Sequence, residues 1–301
     1  MRLVSYRTPA AFSDEPGRAE RLGVLLGERV LPADVLTDGA IVTMADLLAG
    51  APDSIERLRQ TISLALVGPT TGLAIGDLEL LAPVPRPGKI VAVGVNYRSH
   101  ADEQGREPPE APVIFAKFAS SVIGSGATVE WDPRLTQAVD AEAELAVVIG
   151  RTCRRVARRQ ALEHVLGYTC LNDVSARDLQ YADRQFTRAK SLDTFTPMGP
   201  ALVTADEVRD PQVLAIRGYV NGELRQSAST AEMVFGVADL IEFCSRAFTL
   251  EPGDVIATGT PAGVGWFREP RQMLADGDEV VVEADGIGRL ANTCRELRYA
   301  D

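Results

Sequence analysis

The hydrophobic positions of the chain follow two different periods. Apolar residues alternate with polar ones over residues 2–7, as in a strand, whereas residues 43–48 and 54–66 show the three- and four-residue spacing of helices. Beyond residue 198 the apolar stretches are short, and Asn-Gly and Asp-Gly pairs that favour tight turns separate them, with one helix predicted over residues 231–246. The pattern therefore predicts an α+β protein that is mainly β.

Prolines mark a boundary between two parts of the chain. Three of them fall within the five positions 83–87, where they hold the backbone extended and remove amide donors. We therefore expect a small N-terminal accessory domain over residues 1–82 and a second domain over residues 83–301. The first part contains no dense group of titratable residues, so we expect the chemistry in the second.

Composition narrows the range of partners. The chain has 301 residues, with 31 Lys and Arg against 42 Asp and Glu, and its formal charge of -11 repels nucleic-acid backbones. The densest basic group lacks interleaved aromatic residues and is interpreted as a solvated helix face: Arg151, Arg154, Arg155, Arg158 and Arg159. The four cysteines form no C-x-x-C pair, and no apolar run is long enough to span a membrane. We expect a cytoplasmic protein with reduced core thiols, no nucleic-acid partner and no membrane contact.

Residues 139–150 are the most informative stretch. There Asp140, Glu142 and Glu144 alternate with apolar residues before a continuous apolar run begins. In a strand these three carboxylates share one face, each about 7 Å from the next, and they repel one another. Two interpretations remain open on this evidence: either the row faces bulk water, or a cation lies between the carboxylates. The apolar run favours the cation, because it indicates a strand that enters a core.

Other residues could take part in catalysis or substrate binding. His100 and Glu103 stand three positions apart on a predicted helical turn, so the carboxylate can raise the basicity of the imidazole, and the polar loop 104–112 that follows is typical of a lid. Lys117 and Lys190 lie in mixed or apolar surroundings and are suited to holding a substrate oxygen.

A glycine-rich segment invites a different interpretation. Residues 259–265 read GTPAGVG, which is similar to a phosphate loop but lacks the Lys-Ser/Thr ending of one. We therefore favour a turn that exposes backbone amides.

Seven motifs, in the same order along the chain, resemble those of the fumarylacetoacetate hydrolase family. They are GVNYRSHADE (residues 94–103), PVIFAKFASSVIG (112–124), VDAEAELAVVIG (139–150), GYTCLNDVSARDLQ (167–180), RAKSLDTFTPMGP (188–200), VNGELRQSAST (220–230) and GDVIATGTPAGVG (253–265). The resemblance implies a mixed β-sandwich roll for the second domain, a homodimer, and a divalent ion at the mouth of the roll. The N-terminal part loosely resembles the accessory domain of bacterial members.

The resemblance also implies a role for each matching position. The implied metal ligands are Glu142, Glu144 and Asp173, whereas Asp140 is not a ligand in the family pattern and is expected behind the ligands or at the surface. The implied catalytic residues are His100 and Glu103, which would activate water, and Lys190. The expected substrate contacts are Arg177, Gln180, Thr260 and Lys117. Because all three metal ligands are hard oxygens, Mg²⁺ is the first choice of ion, with Mn²⁺ or Ca²⁺ next.

These roles imply a metal-dependent hydrolase that cleaves a carbon-carbon bond of a 1,3-dicarbonyl acid, such as an acylpyruvate or a fumarylacetoacetate-like substrate. The alternative is an enzyme that would form a similar metal enolate but catalyse a different reaction. It would be a decarboxylase, hydratase or tautomerase acting on oxaloacetate or a 2-oxo-enoate. A catalytically silent binding protein is a third possibility, which the presence of the His100 and Glu103 pair and all three ligands disfavours. The sequence does not name the acyl group.

Overall fold

The computed structural model describes residues 1–9, 19–65 and 72–298. Its strands are β1 (Arg2–Arg7), β2 (Arg21–Leu26), β3 (Arg29–Pro32), β4 (Leu73–Ala74), β5 (Glu79–Leu80), β6 (Ile90–Gly94), β7 (Val113–Lys117), β8 (Val122–Ile123), β9 (Thr128–Trp131), β10 (Val139–Asp140), β11 (Ala143–Ile149), β12 (Val165–Asn172), β13 (Ser175–Ala176), β14 (Thr196–Thr204), β15 (Ala215–Val220), β16 (Glu223–Ser229), β17 (Val255–Ala257), β18 (Glu279–Ala284) and β19 (Gly288–Glu296).

Helices are fewer and mostly short. The α-helices are α1 (Ala33–Leu36), α2 (Met44–Ala49), α3 (Asp53–Ala65), α4 (Arg98–Glu103), α5 (Arg177–Asp183), α6 (Phe186–Lys190) and α7 (Val237–Ala247). Single 3₁₀ turns or short 3₁₀ helices occupy Ile75–Asp77, Ala119–Ser121, Arg158–His164, Ala205–Glu207, Thr230–Glu232 and Gly265–Phe267. Among the described residues, no helix combines the length and apolar character needed to cross a membrane.

Two sheets form most of the structure, which confirms the mainly β prediction. The larger sheet has twelve strands in the order β4-β3-β2-β1-β14-β12-β11-β17-β6-β7, with β5 added on β1 and β8 on β14. The second sheet has five strands in the order β16-β15-β18-β19-β9, and β10 and β13 form a separate two-stranded ladder.

Strand β11 lies at the centre of this arrangement, and all seven of its residues are buried. Leu145 and Val147 belong to a hydrophobic core shared with Val282 of the smaller sheet. Their neighbours Ala146 and Val148 belong to a second core on the opposite face, shared with N-terminal helices. Because both faces of β11 are covered, its sequence is a continuous apolar run without the alternation of a half-exposed strand.

The large sheet also joins the N-terminal part of the chain to the rest. Strand β1 pairs antiparallel with β14, with Leu3 opposite Leu202. The second core likewise includes Leu3 and Leu58 together with Leu202. Backbone hydrogen bonds and apolar packing therefore continue across residue 82, and the division into two domains at that position stays a prediction.

Three local predictions are wrong. The acidic strand is interrupted: β10 pairs with β13, whereas β11 pairs with β12 and β17. The basic segment after β11 forms no α-helix, and only its end is helical, as the 3₁₀ segment Arg158–His164. The predicted helix over residues 231–246 begins only at Val237, because the 3₁₀ turn Thr230–Glu232 and an intervening bend occupy its first part.

Candidate active site

Three buried carboxylates meet where two central strands end. Glu142 directly precedes β11, Glu144 lies in it, and Asp173 directly follows β12. Because β11 and β12 are antiparallel neighbours, with Ala143 opposite Asn172, the start of one strand lies beside the end of the other. One oxygen from each of the three carboxylates lies within 4.8 Å of the others. All three side chains are buried, so the interpretation as a solvated acidic row is wrong.

Two cations hold part of this acidic cluster together. Lys190 Nζ, at the end of α6, lies 2.8 Å from Glu142 Oε2 and 2.6 Å from Asp173 Oδ2. Arg177 Nη1, at the start of α5, lies 2.6 Å from Glu142 Oε1. Burial alone would raise the pKa of Glu142, but Lys190 and Arg177 lower it well below its usual range. Glu142 is therefore a carboxylate in this structure.

Glu144 has a different environment. Its Oε2 accepts a hydrogen bond of 2.9 Å from the backbone N–H of Gly259. Burial, followed by repulsion from Asp173 and Glu142, raises the pKa of Glu144 well above its usual value. A carboxyl group in this position gains from a nearby cation, which would remove the repulsion that opposes its ionisation.

Lys117 lies behind Asp173 and has no free donor. Its Nζ donates to Asp173 Oδ1 at 2.5 Å, to the carbonyl oxygen of Phe195 at 3.1 Å and to the carbonyl oxygen of Lys190. An ammonium has three N–H groups, so these acceptors use all of them. The side chain is fully buried and is not part of the cavity wall described below.

Asp140 is also buried, which excludes the predicted surface location. Its Oδ2 accepts from Arg177 Nε at 2.9 Å and from the backbone N–H of Trp266 at 3.0 Å, and its Oδ1 accepts from the N–H of Gly265 at 2.8 Å. Asp140 thus fixes the guanidinium of Arg177 against the segment that follows β17.

That glycine-rich segment, residues 259–265, is not a phosphate loop in this structure. The backbone N–H groups of Gly259, Gly263 and Gly265 do bind anions, but those anions are the carboxylates of Glu144, Glu103 and Asp140. The prediction that this segment exposes its backbone amides is therefore wrong for these three glycines, because their N–H groups are already bound by the protein's own carboxylates. Three separate parts of the site are therefore tied to one loop.

The charges of the cluster fit a divalent cation. Four buried carboxylates, of Asp140, Glu142, Glu144 and Asp173, face three buried cations, of Arg177, Lys190 and Lys117, which leaves one excess negative charge. The three converging ligands offer only carboxylate oxygen, the donor type that Mg²⁺, Mn²⁺ and Ca²⁺ prefer. Since Arg177 and Lys190 already contact both oxygens of Glu142, an ion at this position would share that carboxylate with them.

A cavity of about 230 Å³ opens onto the cluster. Six of the residues predicted from the sequence line it: His100, Glu142, Arg177, Gln180, Lys190 and Thr260. The remaining wall is largely aromatic and basic, and includes Gln104, Arg106, Phe115, Tyr181, Arg184, Phe186 and Phe267. The structure thus brings together on one cavity residues from α4, α5, α6, the start of β11 and the loop after β17.

The helix α4 presents His100 to this cavity. His100 Nδ1 lies 2.5 Å from Glu103 Oε1, and Glu103 Oε2 accepts from the N–H of Gly263 at 2.9 Å. Because Nδ1 faces a carboxylate, the neutral ring is assigned a proton there, which leaves Nε2 as the basic nitrogen. Tyr97 is the N-cap residue of this helix, and no side chain caps it.

Thr260 lines the side of the cavity next to β11, and Gln226 lies behind it. The hydroxyl of Thr260 donates to the carbonyl oxygen of Ala143 at 3.0 Å and accepts from Gln226 Nε2 at 2.7 Å. Its single proton is therefore in use, and towards a ligand Thr260 can only accept. Sequence reasoning missed Gln226, Arg106 and Arg184, because no local pattern distinguishes them from surface residues.

Comparisons with known proteins found one matching family model and several similar proteins. The family model described as fumarylacetoacetate (FAA) hydrolase C-terminal matches residues 89–295. Oxaloacetate tautomerase YisK of Bacillus subtilis is 46% identical over 222 residues, which are 73% of this chain and 74% of that protein. The human mitochondrial oxaloacetate tautomerase FAHD2A is 42% identical over 294 residues, which are 97% of this chain and 91% of that protein.

A solved structure resembles the whole chain as well. Maleylpyruvate hydrolase from Sphingobium sp. SYK-6, in complex with manganese(II) ion and pyruvate, superposes with a TM-score of 0.78 at 33% identity. The match covers 99% of this chain and 100% of that one. The likeness therefore extends over the N-terminal part as well as over the residues that match the family model.

Proposed function

Since the chain belongs to the fumarylacetoacetate hydrolase family, we propose that it is a metal-dependent keto-enol tautomerase of small 2-oxo acids, with oxaloacetate as the first substrate to test. The two tautomerase relatives support this alternative better than the hydrolase that the sequence analysis put first. The observation that carries the proposal is one small cavity that joins a basic imidazole, His100, to a buried cluster of carboxylates and cations.

We assign the head of the substrate, its carboxylate and 2-oxo oxygen, to the buried end of the cavity. Glu142, Glu144 and Asp173 would hold Mg²⁺ or Mn²⁺, which would polarise the 2-oxo group and make the neighbouring C–H more acidic. Lys190 supplies positive charge beside that oxygen. Burial alone would lower the pKa of Lys190, but Asp173 and Glu142 raise it above its usual value, so Lys190 acts as a donor and not as a base.

Arg177 and Gln180 complete the binding of the head. Arg177 Nη1 donates to Gln180 Oε1 at 3.1 Å, which leaves the NH₂ group of the amide as the part available to a ligand oxygen. Thr260, which can only accept, would shape the cavity without donating to a carboxylate. Lys117 would position Asp173 without touching substrate, because its three donors are all in use.

His100 is the proposed general base. In the conversion of keto to enol form, Nε2 removes a proton from carbon 3, the C–H electron pair becomes the double bond between carbons 2 and 3, and the C–O π electrons move to the 2-oxo oxygen. This oxygen then takes up the proton that Nε2 carried, which returns the imidazole to its neutral form. The carboxylate of Glu103 stabilises the imidazolium that forms, because it accepts the hydrogen bond from Nδ1 of His100. The reverse reaction uses the same residues in the opposite order.

The test is a direct assay of the purified chain with oxaloacetate and Mg²⁺ or Mn²⁺. We expect the ultraviolet absorbance of the enol to relax to its equilibrium value faster than in buffer, and to lose that acceleration when the metal is chelated. An unchanged relaxation rate at saturating metal contradicts the tautomerase. Carbon dioxide release measured in parallel identifies a decarboxylase.

Hydrolysis of a carbon-carbon bond is the second candidate. The pairing of His100 with Glu103 also suits a base that activates water, and the structural neighbour in complex with manganese is a maleylpyruvate hydrolase. Loss of the absorbance of maleylpyruvate or an acylpyruvate, with pyruvate formed in equal amount, would establish this activity.

Two further features stay proposals. We propose a homodimer, in which the edge strand β7 and the following residues are a candidate contact because Val113 and Phe118 are exposed. Light scattering of the purified chain measures this directly. The cytoplasmic location stays a prediction from the sequence.

A further inference from the structure

Two arginines on the cavity wall have no partner in the described parts of the protein. Arg106 and Arg184 both line the cavity and are both exposed, so they lie at its opening. Neither guanidinium makes a hydrogen bond or an ion pair with any residue that the structure describes. Asp183, beside Arg184, binds Arg188 instead, with its two oxygens at 2.6 and 2.5 Å.

These two arginines differ from Arg177 on the same cavity. The guanidinium of Arg177 is already held by Asp140, Glu142 and Gln180. Arg177 begins α5 and Arg184 immediately follows its end, so one seven-residue helix carries an engaged arginine at the buried end of the cavity and a free one at the opening. At 1.5 Å per residue the two backbone positions are about 10 Å apart, which two long side chains can bridge across a small ligand.

We propose that Arg106 and Arg184 bind the distal carboxylate of the substrate and make the enzyme selective for dianionic 2-oxo acids over monoanionic ones. The inference rests on the proposed function, because it requires the 2-oxo acid head at the buried end. A divalent ion would change the net charge of the buried cluster from -1 to +1. The carboxylate at the head of the substrate would balance this positive charge. The two free guanidiniums then remain for a second carboxylate, for which their planar fork of donors is suited.

The position of Arg106 also connects selectivity with catalysis. Arg106 follows α4 after the turn at Gly105, and its N–H donates to the carbonyl oxygen of Ala101 in that helix at 3.0 Å. A distal carboxylate bound by Arg106 therefore holds the helix that carries His100. A substrate without this carboxylate lacks that contact, so it loses both affinity and orientation of the base.

The experiment compares wild type with the R106Q/R184Q double variant on two substrates. Oxaloacetate carries a distal carboxylate, whereas acetylpyruvate ends in an uncharged methyl ketone. We expect the double variant to raise KM for oxaloacetate about ten-fold or more, and to leave KM for acetylpyruvate and the inhibition constant of pyruvate nearly unchanged. The matched control is R159Q, which removes an exposed arginine outside the cavity and should change none of these constants.

Each outcome decides the assignment. An unchanged KM for oxaloacetate in the double variant overturns it. An equal rise for both substrates also overturns it, because it shows a general effect of positive charge. Should wild type fail to tautomerise oxaloacetate, the proposed function fails by itself. Calorimetric titration of Mg²⁺-loaded protein with oxaloacetate and with pyruvate then still decides whether the two arginines recognise the second carboxylate.

Discussion

The two ends of the cavity are built in different ways. At the inner end, Glu142, Asp173 and Lys190 lie on or beside central strands and a packed helix, and each charge is buried against an opposite one. At the outer end, His100 lies on a six-residue helix, and Arg106 lies exposed on the loop after it and has no charged partner among the described residues. Under the proposed function, the inner end is therefore preorganised for the head of the substrate, whereas the outer end can adapt to the remainder of the substrate molecule.

The largest effect is expected at the inner end, from Glu142→Gln. This change removes one proposed metal ligand and the shared partner of Arg177 and Lys190, so we expect turnover to fall by about 10³-fold or more. Metal binding, measured by calorimetry, should fall with it. Retention of both activity and metal affinity would exclude the acidic cluster as the metal site.

His100→Gln tests the outer end in isolation. Removal of a general base should lower kcat by about 10²- to 10⁴-fold while metal affinity stays at the wild-type value, because His100 contacts no proposed ligand. Glu103→Gln serves as the matched variant, since it keeps the ring but weakens its orientation, and should have a smaller effect. If His100→Gln also abolished metal binding, the two ends would not be independent.

Lys117→Met tests whether the inner end of the cavity also contributes to the stability of the fold. Loss of the ammonium leaves the Asp173 carboxylate buried with one partner fewer, which we expect to lower the free energy of unfolding by about 3–5 kcal/mol. The control is Lys89→Met, whose partner Asp254 is equally buried but whose own side chain is one-third exposed, so about 1 kcal/mol or less is expected. Denaturant unfolding measures both, and equal losses would contradict a special role for Lys117.

The smallest effect concerns pH, metal and Glu144. In the folded protein without metal, burial and repulsion from Asp173 and Glu142 raise the pKa of Glu144. At pH values between the usual pKa of a glutamate and this raised pKa, the folded state binds more protons than the unfolded state. The contribution of Glu144 to stability is therefore present at low pH and is lost as pH rises through that window. Glu142 has a lowered pKa and loses its contribution only as pH falls through and below the usual carboxyl range, so it does not oppose this trend.

A bound cation favours ionised Glu144, which removes that loss. We therefore expect Mg²⁺ to raise the melting temperature by a few degrees more at pH 8 than at pH 5.5, as measured by thermal unfolding with and without chelator. In Glu144→Gln the difference between the two pH values should disappear. A metal effect that is independent of pH in wild type would contradict the assignment.

Some of the site could be predicted because its signal is local. Glu142 and Glu144 lie two positions apart before an apolar run, and a spacing of two places side chains on one face of a strand. His100 lies three positions before Glu103, and a spacing of three brings side chains together on a helical turn. Lys117 shows where such reasoning stops. Its apolar surroundings indicated burial, but its acceptors are Asp173 and two carbonyl oxygens about 70 positions further along the chain, which no local pattern reveals.

By itself the sequence determined the mainly β class, the strand that enters the core, the acidic residues at its start and the family motifs, because each follows from spacing along a short segment. Only the tertiary structure decided that Asp140 lies in a separate strand and holds Arg177, that the glycine-rich loop binds the protein's own carboxylates, and that Arg106 and Arg184 share one opening. The physical reason is that charge balance is a property of groups close in space. Those groups come from strands, helices and loops far apart in the chain.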